Sequence, residues 1–136
     1  MTLKTSGGPM SLVLPFTPAS ASVARRELGS WVRQLPSCDD DDAADCALVV
    51  SELVGNAVRH AQPLTNGTME VSWHKQADGV DIAVTDGGGS TRPRKLTPGA
   101  SDLAGRGLSI VDTLAGRWWV EQSRSRTTVH ALMADC

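Results

Sequence analysis

Apolar residues in this chain recur in two rhythms, and the switches between them mark out the elements. From Ser20 to Leu35, Val23, Ala24, Leu28, Trp31, Val32 and Leu35 fall at three- and four-residue steps before Pro36. That spacing predicts a helix with one buried face, ended by the proline. A longer helical pattern covers Ala43 to Ala61, directly behind four acids, Asp39 to Asp42. A metal site is one use for such a run. Carboxylates also cap free N–H groups and oppose the macrodipole at a helix start, and we read the run as that start signal. Pro63 closes the pattern, and Asn66-Gly67 is a turn pair.

Strict alternation then takes over. Met69, Val71 and Trp73 within Thr68 to Gln76, and Val80, Ile82 and Val84 beyond Ala77-Asp78-Gly79, predict two strands paired antiparallel through a tight turn. Ser11 to Phe16, with Pro15 inside it, suits an edge strand. From Gly87 to Ala104 both rhythms vanish, and an aperiodic stretch of that length inside a domain predicts a functional lid. Gly107 to Leu114 is helical in pattern with Gly116 as its stop, and strands 117–122 and 127–133 follow, joined through Ser123-Arg124-Ser125. The order β-α-α-β-β-loop-α-β-β predicts an α+β two-layer sandwich, a mainly antiparallel sheet with helices on one face.

Composition narrows this picture. The chain has 136 residues, enough for one domain, here 11–136 behind a loose tail at 1–10. With one Phe and no Tyr, its core must be built mainly from Leu, Val, Ala and Ile. A net charge of −2 argues against nucleic acid or an anionic membrane as main partner. No segment approaches the ~20 apolar residues of a membrane span. Cys38, Cys46 and Cys136 are odd in number and lack CxxC spacing, so the expectation is free thiols in a reducing, cytoplasmic setting.

Three short constellations carry candidate chemistry. Glu52, Asn56 and His60 stand at four-residue steps on the second helix, a polar row beside the apolar flank of Val50, Leu53, Ala57 and Ala61. Asp86 lies where an alternating strand runs out into Gly87-Gly88-Gly89, a desolvated acceptor beside backbone that permits close approach of a flat ring. Gly105-Arg106-Gly107 opens a helix, where free N–H groups suit phosphate. Neither G-x-x-x-x-G-K-[ST] nor a complete G-x-G-x-x-G is present.

Taken together, these residues resemble the boxes of the GHKL, or Bergerat-fold, ATPase and kinase superfamily. Glu52-x-x-x-Asn56-Ala57-x-x-His60 resembles the N box, Asp86-x-Gly88 the G1 box, and Gly105-x-Gly107-Leu108 the G2 box, with the lid between. Gly105 to Asp112 followed by Trp118-Trp119-Val120 looks like the branch of small anti-sigma-factor serine kinases and related regulatory ATP-binding proteins. The resemblance implies ATP and Mg²⁺ as cofactors, with Asn56 as metal ligand and Glu52 as catalytic base. It also implies that Asp86 and Gly88 bind adenine, that Gly105, Gly107 and Leu108 serve the phosphates, and that Thr128 sits near adenine. Arg59 and His60 flank the site. Ser90 and Arg126 depart from the pattern, each standing where glycine is common.

The implied activity is phosphorylation of a serine on an antagonist protein, with a sigma factor as the alternative partner and homodimers common among relatives. An ATP-gated binding module without phosphotransfer is the other reading. A sensor histidine kinase core is disfavoured because neither flank has room for a dimerisation helix.

Overall fold

The computed structural model describes residues 9–88, 108–134 and 136. In chain order they form β1 (Met10–Pro15), α1 (Ser20–Arg33), α2 (Asp40–His60), a 3₁₀ turn (Thr65–Gly67), β2 (Thr68–Gln76), β3 (Gly79–Asp86), α3 (Ser109–Leu114), β4 (Arg117–Gln122) and β5 (Thr127–Ala134). The five strands make one sheet, ordered β1-β2-β3-β5-β4, in which every neighbouring pair is antiparallel. This is the α+β arrangement that the two rhythms predict.

The acid run starts α2. Asp39 Oδ1 accepts from the Asp42 N–H at 2.8 Å, while Asp42 Oδ2 accepts from the Asp39 N–H at 2.9 Å. Two otherwise orphaned donors are thereby satisfied by side chains, and such a cap is worth about 1 kcal/mol. The helix consequently begins at Asp40, three residues ahead of the apolar pattern. At the other junction, Ser20 Oγ donates to the Pro15 carbonyl at 2.7 Å and fastens the start of α1 to the end of β1.

Alternation in the strands sorts the sheet into two faces. Met69, Val71, Trp73, Val80, Ile82, Val84, Trp118, Ala131 and Met133 point toward the helices, where they meet Ala24, Leu28 and Val32 of α1 and Val49, Val50, Leu53 and Val54 of α2. Burying each Val, Leu or Met in such a layer contributes about 1.5–3 kcal/mol. Trp73 and Trp31 lock β2 to α1 with ring centroids 6.3 Å apart. Trp118 Nε1 donates to Asp112 Oδ1 at 3.0 Å and ties β4 to α3.

The far face is polar and built around His130. Its Nδ1 lies 3.1 Å from Asp81 Oδ1, its Nε2 lies 2.9 Å from Glu121 Oε1, and its ring stacks on Trp119 at 4.7 Å. Burial alone would lower its pKa, but the hydrogen bonds to two carboxylates more than offset that, so it lies above the ordinary imidazole value.

The free-thiol expectation holds for one cysteine of three. Cys38, in the connection between α1 and α2, is joined to Cys136 by a disulfide with Cα atoms 4.8 Å apart. The partners are 98 residues apart in sequence, so spacing gave no sign of the pairing. Cys46 is free and buried, and burial, helped by Asp42 and Asp45, pushes its thiol up to about 12. Among the described residues, no helix is long and apolar enough to cross a membrane.

Candidate functional site

The predicted site residues come from elements that converge on α2, which packs on β3, α3 and β5. Its two candidates differ in setting although they lie one turn apart. Glu52 is half-buried, whereas Asn56 keeps only 8% of its surface exposed. Asn56 Oδ1 is buried with no hydrogen-bond partner among the described residues. Leaving a buried carbonyl oxygen unpaired costs about 1–3 kcal/mol, so such an atom is a standing acceptor for a donor or a hard cation.

Asp86 ends β3 with 4% of its surface exposed. Burial raises its pKa to about 6, a shift limited by the Gly88 N–H, which donates to Asp86 Oδ1 at 2.7 Å. A desolvated carboxylate of this kind gains more than a solvated one from a further N–H donor. Gly88 has φ +89°, in the region where side chains are strained, so a residue with a Cβ would be disfavoured at this turn.

The strand end is held from behind. The Gly87 N–H donates to the Gln62 carbonyl at 2.8 Å, and the Gln62 N–H donates to the Gly88 carbonyl at 2.7 Å. This double clasp fixes the Asp86 loop against the segment that leaves α2. It requires glycine, because a Cβ at 87 would collide with the Pro63 carbonyl. Gly87→Ala should therefore cost about 1–3 kcal/mol of stability, the usual range for overpacking, and chemical denaturation measures it. An unchanged midpoint would show that the clasp yields freely.

Thr128 stands apart from this site. It pairs in register with Thr85, and the two hydroxyls are 2.8 Å apart on the polar face of the sheet, away from Asp86. The residue across from Asp86 is Thr127, and its Oγ1 is 3.6 Å from where a Cβ on Gly88 would lie. A shift of one residue along a strand reverses the face, which is why the sequence-based expectation and the structure differ here. Counting back in twos from the buried Met133 and Ala131 through Val129 gives the threonine on the helix-facing side.

Leu108 caps α3 and is 1% exposed within the hydrophobic core, so it anchors the start of that helix through packing. Arg59 and His60 are exposed at the end of α2. Gly105, Gly107, Ser90 and the predicted lid beyond Gly88 lie outside the described residues.

An unpaired buried amide oxygen and a half-buried carboxylate on α2 thus belong to a helix that packs on β3, the strand that ends in the desolvated carboxylate of Asp86 and the glycine turn behind it. A comparison with family models matches residues 14–133 to the histidine kinase-like ATPase domain. A comparison with curated proteins returned no match.

Proposed function

Because the chain belongs to the histidine kinase-like ATPase domain family, a membership that carries ATP binding with it, we propose that it is a MgATP-dependent regulatory protein kinase. Its substrate would be a serine on an antagonist protein, and its regulatory target a sigma factor held when that antagonist is absent. The observation that carries this reading is the buried, unpartnered Oδ1 of Asn56 one helical turn from Glu52. An acceptor atom kept dry and unused fits a Mg²⁺ ligand, since Mg²⁺ takes few protein oxygens and completes its shell with water and phosphate.

Mg²⁺ supplies charge neutralisation at the phosphates; the chain's own residues do the rest. Asp86 accepts the hydrogen bond of the adenine amine, and Gly88 lets the ring approach the backbone. Thr127, in place of Thr128, lies beside that ring. Gly105 and Gly107 are the candidates for phosphate that the resemblance implies, and buried Leu108 anchors the start of α3. Glu52 takes the proton from the attacking serine hydroxyl.

Titration of the purified protein with ATP, with and without Mg²⁺, tests the nucleotide site. Asp86→Asn should weaken binding by about 1–3 kcal/mol, the loss expected for a hydrogen bond to a charged acceptor. The wild-type affinity should also decline as pH falls through about 6, where Asp86 takes up its proton. Comparison with Asp86→Asn removes the contribution from titration of ATP itself. The sign for folding is the reverse. A carboxyl with a raised native pKa binds a proton that the unfolded chain has already lost, so this group's contribution to stability falls as pH rises toward 6. Equal affinities for the wild type and Asp86→Asn at pH 7.5 would remove Asp86 from the adenine site.

A further inference from the structure

Along α2, a stripe of side chains that the proposed nucleotide site does not use leads up to Glu52. Asp41, Asp45, Leu48 and Glu52 follow one another at steps of four, three and four residues, and so line up along one helix face. Asp41 and Asp45 are exposed, and Leu48 leaves 40% of its surface to water, as few large apolar side chains among the described residues do. Leu48 does not sit on a bare convex surface. With Ser109, Ile110, Thr113 and Leu114 of α3 it lines a groove of about 270 Å³. The result is an apolar slot with an acidic approach at one end and the candidate base at the other.

Spacing turns this into a recognition pattern. At 1.5 Å per residue, Leu48, Asp45 and Asp41 lie about 6, 10 and 16 Å from Glu52 along the helix axis. An extended peptide advances about 3.3 Å per residue, so the same spans correspond to about two, three and five of its residues. Charge selects the occupant. A second copy of the chain laid groove to groove about a twofold axis would bring one acidic stripe against another, which is repulsive. A segment with basic residues flanking an apolar anchor is attracted instead.

We propose that this groove docks an extended segment of the phosphoacceptor protein, with an apolar side chain in the slot beside Leu48 and basic residues facing Asp45 and Asp41. Seated in this way, a serine two residues beyond the apolar anchor reaches Glu52. The serine's role rests on the kinase reading; the groove's preference for an apolar anchor with basic flanks does not.

The test uses the whole protein without nucleotide and two labelled synthetic peptides, one carrying Arg-x-Arg-Leu-x-Ser and one carrying the reverse order. Fluorescence anisotropy should show saturable binding of at least one. Leu48→Glu and Asp45→Lys should each weaken it by about tenfold or more. A peptide with Glu in place of Arg should bind the Asp41→Lys/Asp45→Lys double variant better than it binds the wild type. Leu48 and Asp45 are exposed, so thermal unfolding should show these variants folded as the wild type is. Absence of binding by both peptides at millimolar concentration, or binding untouched by Leu48→Glu, would overturn the proposal. A parallel ATP titration keeps the two readings separate. Peptide binding without ATP binding would defeat the kinase reading and leave the groove standing; ATP binding without peptide binding would defeat the groove alone.

Discussion

Glu52→Ala is expected to keep MgATP affinity within about threefold and to lower phosphotransfer to the acceptor protein by about 10²–10⁴-fold, the usual contribution of a positioned general base. The separation follows from where the residue sits. Glu52 is half-buried on α2, while Asp86 and Thr127, the residues proposed for adenine, belong to β3 and β5, and the proposed metal ligand is one turn further along the helix. Alanine is the strongest helix former, so α2 should not weaken. Single-turnover transfer from γ-labelled ATP, with an ATP titration of the same sample, distinguishes loss of chemistry from loss of binding. Transfer at the wild-type rate would show that another group takes the proton. Loss of ATP binding together with transfer would place Glu52 in the nucleotide contacts.

Opening the disulfide should have the largest effect on stability. Cys38 and Cys136 close a loop of 98 residues, and the chain-entropy account gives about 4–5 kcal/mol for a loop of that size. In a domain of this length that is a fall in Tm on the order of 10–20 °C. Thermal unfolding with and without dithiothreitol, repeated on Cys136→Ser, measures it. The variant should melt where the reduced wild type does and be indifferent to the reductant. Cys46 will not rescue the bond by exchange, because its buried thiol, pushed up to about 12, supplies almost no thiolate at neutral pH. Identical melting of oxidised and reduced wild type would mean that the cross-link adds nothing to the native state. The bridge anchors the connection just ahead of the Asp39–Asp42 cap. Reduction should therefore loosen the N-terminal turn of α2 before it disturbs Asn56.

Much of the candidate site was legible before any coordinates. Glu52 and Asn56 were singled out not by their helical spacing alone, which any amphipathic helix displays, but by the two glycine-rich runs that follow them in the order the resemblance requires. Asp86 was identifiable because a strand that breaks into glycines announces its own end. The capping role of Asp39 and Asp42 likewise needs nothing beyond the turn in which they sit. What the local pattern does not contain is the depth of each group. Asn56 and Glu52 have equal claims as polar residues on a helix wheel, yet Asn56 is buried with its Oδ1 sealed from water and Glu52 is only half-buried. The pKa of Asp86 is raised by that same depth.

The sequence by itself determined the order and kind of the elements, the antiparallel hairpin of β2 and β3, and the residues able to do chemistry. The elements and the hairpin rest on periodicity and on turn and cap preferences, which act over a few neighbouring residues; the candidate residues for chemistry rest on the resemblance of three short boxes to a family. Only the tertiary structure decided the rest. It paired Cys38 with Cys136, clasped Gly87 against Pro63, put Thr127 rather than Thr128 beside Gly88, and opened the groove between Leu48 and α3. Each of these is a contact between segments distant in sequence. Such contacts are fixed by which faces come together when the apolar surfaces are buried, and no short stretch of chain encodes that.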